Sequence, residues 1–316
     1  MKNFTGLSDV DDLYGLVKEG IALKKDPFGY KKLGEGLTMG IIFLNPSLRT
    51  RLSTQKAAQN LGMSPIVMNF GSEGWQLEFE DGVVMDGNKA EHVKDAARVM
   101  GAYFDVMGIR SFPGLKDREA DYAETIIEQF KQHCGIPLIS LESATRHPLQ
   151  SLADLMTIEE HKKVAKPKVV LTWAPHPKVL PQAVPNSFAE WMNAADVDFV
   201  ITHPEGYELA EEFAGNAKVT HNQAEAFEEA DFIYAKNWSS YKEYGKVLCE
   251  DKSWIVDGAK MALTNEAGFM HCLPVRRNVI VSDEVIDSPN SLIIQEAANR
   301  EYAAQVVLKR ILEANF

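Results

Sequence analysis

Short apolar runs bounded by Gly, Pro and polar residues recur along the chain, and between them apolar positions fall at helical spacing. In the first half, the runs at 38–44 (TMGIIFL), 64–69 (SPIVMN), 102–109 (AYFDVMGI) and 136–140 (IPLIS) read as strands, with helices at 50–61, 90–101 and 118–133 between them. That alternation predicts an α/β unit with a doubly wound parallel sheet. A second series, KVVLTW (168–173), VDFVIT (197–202), FIYA (232–235), WIVD (254–257) and FMHC (269–272), predicts another of the same class. A helix over 148–163, opened by Pro148, spans the two. After a last strand, LIIQ, a C-terminal helix from about Glu296 to Glu313 is expected to pack back on the first domain. The expected domains are therefore 1–146 with 296–316, and 147–295. Ser8, followed by Asp11, reads as the N-cap of the first helix. Two stretches read as long loops, 70–89 and the proline-rich 174–185, and loops of that length in compact domains are usually functional.

The length of 316 residues agrees with two domains at roughly 150 residues each. Lys and Arg number 33 against 45 Asp and Glu, and the net charge of −12 argues against nucleic acid or an anionic membrane surface as the main partner. Any anionic ligand must then be held by a few local cations. No apolar run reaches the roughly 18 residues that span a bilayer, and the start MKNFTGLSDVDD has no apolar core of a signal peptide, so a cytoplasmic protein is expected. Cys134, Cys249 and Cys272 stand in three unrelated contexts, which speaks against a disulfide framework or a structural zinc site.

Chemistry concentrates at the ends of the predicted strands. TMGIIFL runs into Asn45-Pro46, and Ser47-Leu48-Arg49-Thr50-Arg51 opens the next helix. Ser47 suits an N-cap, and capping alone is one reading of it. Two arginines in a first turn oppose the helix dipole, however, and no acid follows before Leu61. A phosphate at the helix N-terminus would supply the missing charge, bound by backbone N–H groups, the Ser47 and Thr50 hydroxyls and Arg49. Arg110 follows AYFDVMGI, in the crevice where open α/β sheets bind ligands, or is a solvated end-of-strand arginine. His147 precedes Pro148. It either caps the helix or, kept neutral there, donates a hydrogen bond to a carbonyl. His271-Cys272-Leu273-Pro274 follows a strand, and neighbours on a strand point to opposite faces, so His271 and Cys272 are not expected to act as a dyad.

SLRTR after a strand, a midchain HPLQ and a late HCLP together resemble the carbamoyltransferases, the family of aspartate and ornithine transcarbamylases. The resemblance runs from SLRTR to the AANR at 297–300. It implies a carbamoyl phosphate domain, an amino-substrate domain, a homotrimer with shared active sites and no metal or organic cofactor. Ser47, Leu48, Arg49 and Thr50 would hold the phosphate. Arg110, His147 and Gln150 would hold the carbamoyl end, Cys272 and Leu273 would offer main-chain carbonyls to its amide, and Arg300 would complete the site. The family chemistry needs no nucleophilic residue: Thr50, Arg110 and His147 would stabilise the carbonyl oxygen while Arg49 and its neighbours take the phosphate.

Ornithine transcarbamylases carry an aspartate after the FIYA-like strand, for the free α-ammonium of ornithine. Here Lys236 stands there, and unit charges about 4 Å apart interact by roughly 4 kcal/mol at an effective dielectric near 20. A lysine would repel that ammonium but attract an α-carboxylate, so the chain is most similar to the branch acting on N-acylated ornithine. Glu142, His176, Lys236 and Arg276 fall where that branch binds its amino acid, and Trp75 matches a tryptophan that reaches the phosphate of the neighbouring subunit. The branch also implies a knot, with the chain passing through the loop 174–185. Ala90 stands where the acetylornithine type has a glutamate. Its absence favours a succinyl over an acetyl group, with Lys178, Arg276 or Arg277 as partners for the second carboxylate. Ile280 replaces a lysine of the acetyl type.

Overall fold

Thr38–Phe43 (β1) is buried at every position after Thr38, as a central strand of a parallel sheet covered on both faces must be. Gly40 leaves room that no side chain has: a Cβ there would come within 2.2 Å of the Phe104 ring. In the computed structural model, which describes residues 1–316, β1 pairs with Ser64–Asn69 (β2) on one side and Val106–Arg110 (β3) on the other. Leu138–Glu142 (β4) lies beyond β3, all pairs are parallel, and the order is β2-β1-β3-β4. The chain changes sides of β1 between β2 and β3. The carboxyl ends of β1 and β3 therefore border a topological switch point. Helix Val93–Tyr103 buries Val93, Ala96, Ala97 and Met100, the i, i+3, i+4, i+7 stripe, in one cluster with Ile42, Met107 and Phe130. The larger of these, such as Val93, Met107 and Phe130, contribute roughly 1.5–3 kcal/mol each when fully buried, the alanines less.

The second sheet repeats the plan with Lys168–Trp173 (β5), Asp198–Thr202 (β6), Lys218–Thr220 (β7), Phe232–Lys236 (β8) and Gly268–Met270 (β9). Its order is β9-β8-β5-β6-β7, all parallel, with the switch point between β5 and β8. Val170, Val200, Ile233, Phe269 and Ile280 belong to its core. The chain divides into one unit of Met1–Gly114, Glu119–Leu149 and Arg300–Phe316, and a second of Leu115–Arg118 and Gln150–Asn299. The first line falls inside the helix Pro148–His161, where the sequence reading set it ahead of His147. No helix is long and apolar enough to cross a membrane.

Several expected elements differ. WIVD is not a strand: Lys252–Trp254 is a 3-10 turn, and Val256 makes a single bridge to Val281 before Asp257 caps the helix Gly258–Met261. LIIQ is not one either. Leu292 donates to the Phe269 carbonyl, and Ile293 then opens the helix Ile293–Asn315, since a run of three apolar residues carries no period of its own. The first helix, Leu13–Leu23, is capped by Asp12 and not by Ser8, which lies in the 3-10 turn Leu7–Asp9. The helix expected over 118–133 is two, Arg118–Tyr122 and Thr125–His133, broken at Glu124 with φ of 51°. Within 70–89, Phe70–Glu73 is helical and Leu77–Glu78 pairs in parallel with Glu91–His92.

Candidate active site

In the first unit, β1 delivers Ser47 to the start of the helix Leu48–Asn60, where its side chain accepts from the Thr50 N–H at 3.3 Å. Arg49 lies half-buried in that first turn and Leu48 is exposed. The Thr50 hydroxyl, buried, accepts from Arg300 Nη2 at 3.0 Å and from Arg110 Nη1 at 3.4 Å. Arg110 ends β3 and is only 7% exposed, so it is not the solvated arginine that its strand-end position allows. It pairs with Glu142, stacks on Phe112 at 4.7 Å, and its Nε is buried with no acceptor. His147 Nε2 lies 3.5 Å from the same Glu142 carboxylate. Burial first, and then the charges of Arg300 and Arg110, hold the imidazole well below its ordinary 6.5. The ring is therefore neutral, and its contact with Glu142 is dipolar rather than an ion pair.

The turn that carries His147 is anchored from a distance. Glu124, left-handed between two short helices, accepts from Ser143 Oγ at 2.6 Å, Thr145 N at 2.8 Å and Ala144 N at 3.2 Å. A non-glycine residue at positive φ costs about 1–2 kcal/mol, which this many charge-assisted bonds offset. On the other flank Trp75 is 56% exposed, its indole donating to Glu91 at 2.8 Å. Ala90 is exposed on the same ribbon and donates to the Gln76 carbonyl at 3.1 Å. Glu78 closes the loop by accepting from Lys89, Glu80 and Phe79. The Lys89 bond is the largest cause holding its carboxyl at about 2.

In the second unit the carboxyl ends of β5 and β8 carry His176 and Lys236. Arg276 Nε donates to His176 Nε2 at 3.1 Å, and Nδ1 lies 2.9 Å from the Lys178 carbonyl oxygen and 3.0 Å from the Lys178 backbone nitrogen. Burial and the charges of Lys236, Arg276 and Lys178 push His176 below its ordinary value. Lys236 is buried, donating to the Asn237 carbonyl at 3.2 Å, and none of Lys178, Lys236 and Arg276 forms an ion pair. The positive charges of all three bear on His176. Arg277 is not part of this group: its guanidinium is taken by Asp287 at 2.6 and 2.7 Å and by Asp283 at 2.9 Å. Ile280 is core, which removes any polar group from that position. Gln150 donates its amide nitrogen to Asp154 at 2.7 Å and to Glu296 at 3.0 Å. After β9, Leu273 turns left-handed at φ of 53°, its N–H held by His271 Nδ1 at 2.9 Å, and Cys272 is half-buried beside it.

The carbamoyl-P binding domain of the aspartate/ornithine carbamoyltransferases matches residues 2–160, and their Asp/Orn binding domain matches 181–311. The chain belongs to the aspartate/ornithine carbamoyltransferase family. It is 61% identical over 315 residues to the N-succinylornithine carbamoyltransferase of Bacteroides thetaiotaomicron, covering 99% of each chain. To the N-acetylornithine carbamoyltransferase of Xanthomonas campestris pv. campestris it is 34% identical, covering 99% of this chain and 98% of that one. A crystal structure of an N-acetyl-L-ornithine transcarbamylase mutant with alanine for glutamate, complexed with carbamyl phosphate and N-succinyl-L-norvaline, superposes with a TM-score of 0.92. That pair is 34% identical and covers 98% of this chain and all of the other.

The residues singled out in this carbamoyltransferase sequence thus gather in two places. Ser47, Arg49, Thr50, Arg110, His147 and Arg300 belong to the first unit. Gln150, His176, Lys236, Cys272, Leu273 and Arg276 belong to the second. Glu142, expected among the amino-acid ligands, meets Arg110 and His147 in the first unit. Glu124 and Glu296 escaped the sequence reading. Each acts on a turn or a side chain remote in sequence, and no local spacing announces such a contact.

Proposed function

We propose that this carbamoyltransferase moves the carbamoyl group of carbamoyl phosphate to the δ-amine of N-succinyl-L-ornithine, giving N-succinyl-L-citrulline and phosphate. The observation that carries the substrate assignment is the cluster of Lys178, Lys236 and Arg276 around His176, three cations without an ion-pair partner. An N-acylated ornithine brings an α-carboxylate and no α-ammonium, and a succinyl group brings a second carboxylate. Two anions suit this cluster, and a free ammonium does not. Ala90 supports the succinyl group, since a relative of the acetyl type with alanine in place of a glutamate holds a succinyl ligand.

On this reading the unit of Ser47 and Arg110 binds carbamoyl phosphate and the unit of Lys236 binds the acylornithine. Ser47, Leu48, Arg49 and Thr50 take the phosphate at the helix N-terminus, with Trp75 contributed by a neighbouring subunit of a homotrimer. The uncharged δ-amine attacks the carbamoyl carbon, the new C–N bond forms, the bond from that carbon to the bridging oxygen breaks so that the oxygen leaves with the phosphate, and the departing phosphate accepts the amine proton. Negative charge builds on the carbonyl oxygen meanwhile. The Thr50 hydroxyl, its lone pairs engaged by Arg300 and Arg110, has its proton left to donate; Arg110 and neutral His147 add donors to the same oxygen. Gln150 and the Cys272 and Leu273 carbonyls receive the carbamoyl amide. Family resemblance further supports a cytoplasmic arginine-biosynthetic enzyme and a knotted path through 174–185.

Product formation from carbamoyl phosphate with ornithine, N-acetylornithine and N-succinylornithine, under one set of conditions, tests the reading. The highest kcat/KM is expected for N-succinylornithine. A higher value for N-acetylornithine overturns the succinyl assignment and leaves carbamoyl transfer standing.

A further inference from the structure

Glu296 is fully buried, yet both of its carboxylate oxygens are engaged by groups at the far ends of other elements of the second unit. Oε1 accepts from Gln150 Nε2 at 3.0 Å, and Oε2 accepts from the backbone N–H of His271 at 2.9 Å. We propose that Glu296 is a positioning residue that sets both acceptors for the carbamoyl amide, the Gln150 side-chain oxygen and the backbone carbonyls of Cys272 and Leu273. The inference rests on the carbamoyltransferase reading of those three residues and goes beyond it.

Two carboxylates face the Gln150 amide, Asp154 and Glu296, and a carboxylate only accepts. The NH₂ end of Gln150 must therefore face them, and its oxygen must face away. A glutamine left to itself presents either end. Held so, it presents an acceptor, which is what an incoming N–H requires. The other oxygen of Glu296 fixes the residue from which the HCLP turn departs. His271 in turn holds the left-handed Leu273 through Nδ1 at 2.9 Å. The carbonyls on either side of that turn are thus placed through a chain of two hydrogen bonds that starts at Glu296. A carbamoyl NH₂ has two protons, and one carboxylate orders an acceptor for each.

The carbamoyl and acetyl groups differ as NH₂ from CH₃, so acetyl phosphate is a ligand of nearly the same shape that cannot use these acceptors. The experiment measures dissociation constants of carbamoyl phosphate and acetyl phosphate for the full-length protein, Glu296→Gln, Glu296→Asp and Asn299→Ala. Glu296→Gln places an NH₂ against one of two donors. It is expected to weaken carbamoyl phosphate by about tenfold, the effect of one mispaired buried hydrogen bond, and acetyl phosphate by less than about twofold. Glu296→Asp, shortened so that it cannot reach the Gln150 amide and the His271 N–H together, is expected to lower the carbamoyl preference by about threefold. Asn299 bonds Thr157 and Glu160 between the same two helices, so Asn299→Ala is expected to lower the melting temperature and leave the preference unchanged. Equal weakening of both ligands in the two Glu296 variants, or no change in either, overturns the proposal. The Asp variant decides it if the Gln variant does not fold. A wild-type protein that binds neither phosphate ligand would instead overturn the underlying carbamoyltransferase reading.

Discussion

Replacing Thr50 by Val tests the centre of the first unit most sharply, because it removes a hydroxyl while keeping the shape of a side chain that is 1% exposed. Valine keeps the branched outline of threonine, so the change is felt through the lost hydroxyl. In the native site the hydroxyl accepts from Arg300 at 3.0 Å and, over a longer and weaker bond, from Arg110 at 3.4 Å. The stability cost is therefore mainly one bond to a charged donor, about 1.5–3 kcal/mol, or a melting temperature lower by several degrees. The catalytic cost has a different origin. A donor aimed at the developing oxyanion is worth about 2.7–4 kcal/mol, so kcat should fall by about 10²–10³. In the proposed mechanism Arg110 and His147 serve the same oxygen, which favours the lower end. Initial rates of N-succinylcitrulline formation, taken well below the melting temperature with each substrate varied in turn, separate kcat from both KM values. The acylornithine KM should hardly change. A kcat within about threefold of wild type, less than about 1 kcal/mol of barrier, alongside the lowered melting temperature would reduce Thr50 to a structural acceptor and refute the argument.

Arg49→Ala should lose the guanidinium fork on the phosphate and lower kcat/KM for carbamoyl phosphate by about 3 kcal/mol, and near wild-type turnover would remove that assignment. Arg49→Ala and Trp75→Ala chains, each impaired alone, should regain partial activity when dissociated and reassembled together; verified mixed trimers without activity would show that Trp75 does not act across subunits. His147 is buried neutral with its folded-state value far below 6.5, so below that pH the unfolded chain binds the extra proton and stability falls as pH falls, with no contribution above it. His147→Gln should flatten the decline of the melting temperature between about pH 7 and 5, and an unchanged slope would assign the decline to other groups. Ala90→Glu should shift the kcat/KM preference toward N-acetylornithine, and a preference left unchanged would detach Ala90 from acyl selection.

What the sequence made legible was whatever repeats locally. Strands such as TMGIIF and KVVLTW show as apolar runs because both of their faces are covered, and SLRTR shows as two cations in the first turn of a helix, the wrong sign for its dipole. Short elements at the sheet edges were not legible. Lys218–Thr220 has three residues, two of them exposed, so it carries almost no apolar signal. LIIQ and WIVD read as strands because three apolar residues fit either period, and the choice was made by partners elsewhere, the Phe269 carbonyl for one and Ile280 for the other. The same applies to the site. Arg110 and Lys236 sit at strand ends, where topology points, but the Arg277 ion pair with Asp283 and Asp287 depends on a turn that no spacing rule describes.

The two units meet one electrostatic problem with different means, and the proposed chemistry accounts for the difference. On the proposed reading both must hold an anion on a protein of net charge −12, and both would do so at the switch point of a parallel sheet. The first uses a helix N-terminus, arginines and a hydroxyl held between guanidinium groups, all fixed in direction. The second uses two lysines and one arginine around a histidine. Charge on the carbamoyl oxygen and the phosphate grows during the reaction, so donors there stabilise the transition state only if they are already aimed. The α-carboxylate and succinyl carboxylate keep the same charge throughout. Contacts to them stabilise ground and transition states alike, and a point charge on a flexible stem is sufficient. Perturbing the first unit should therefore appear mainly in kcat, and neutralising Lys178 or Lys236 mainly in the KM of the acylornithine.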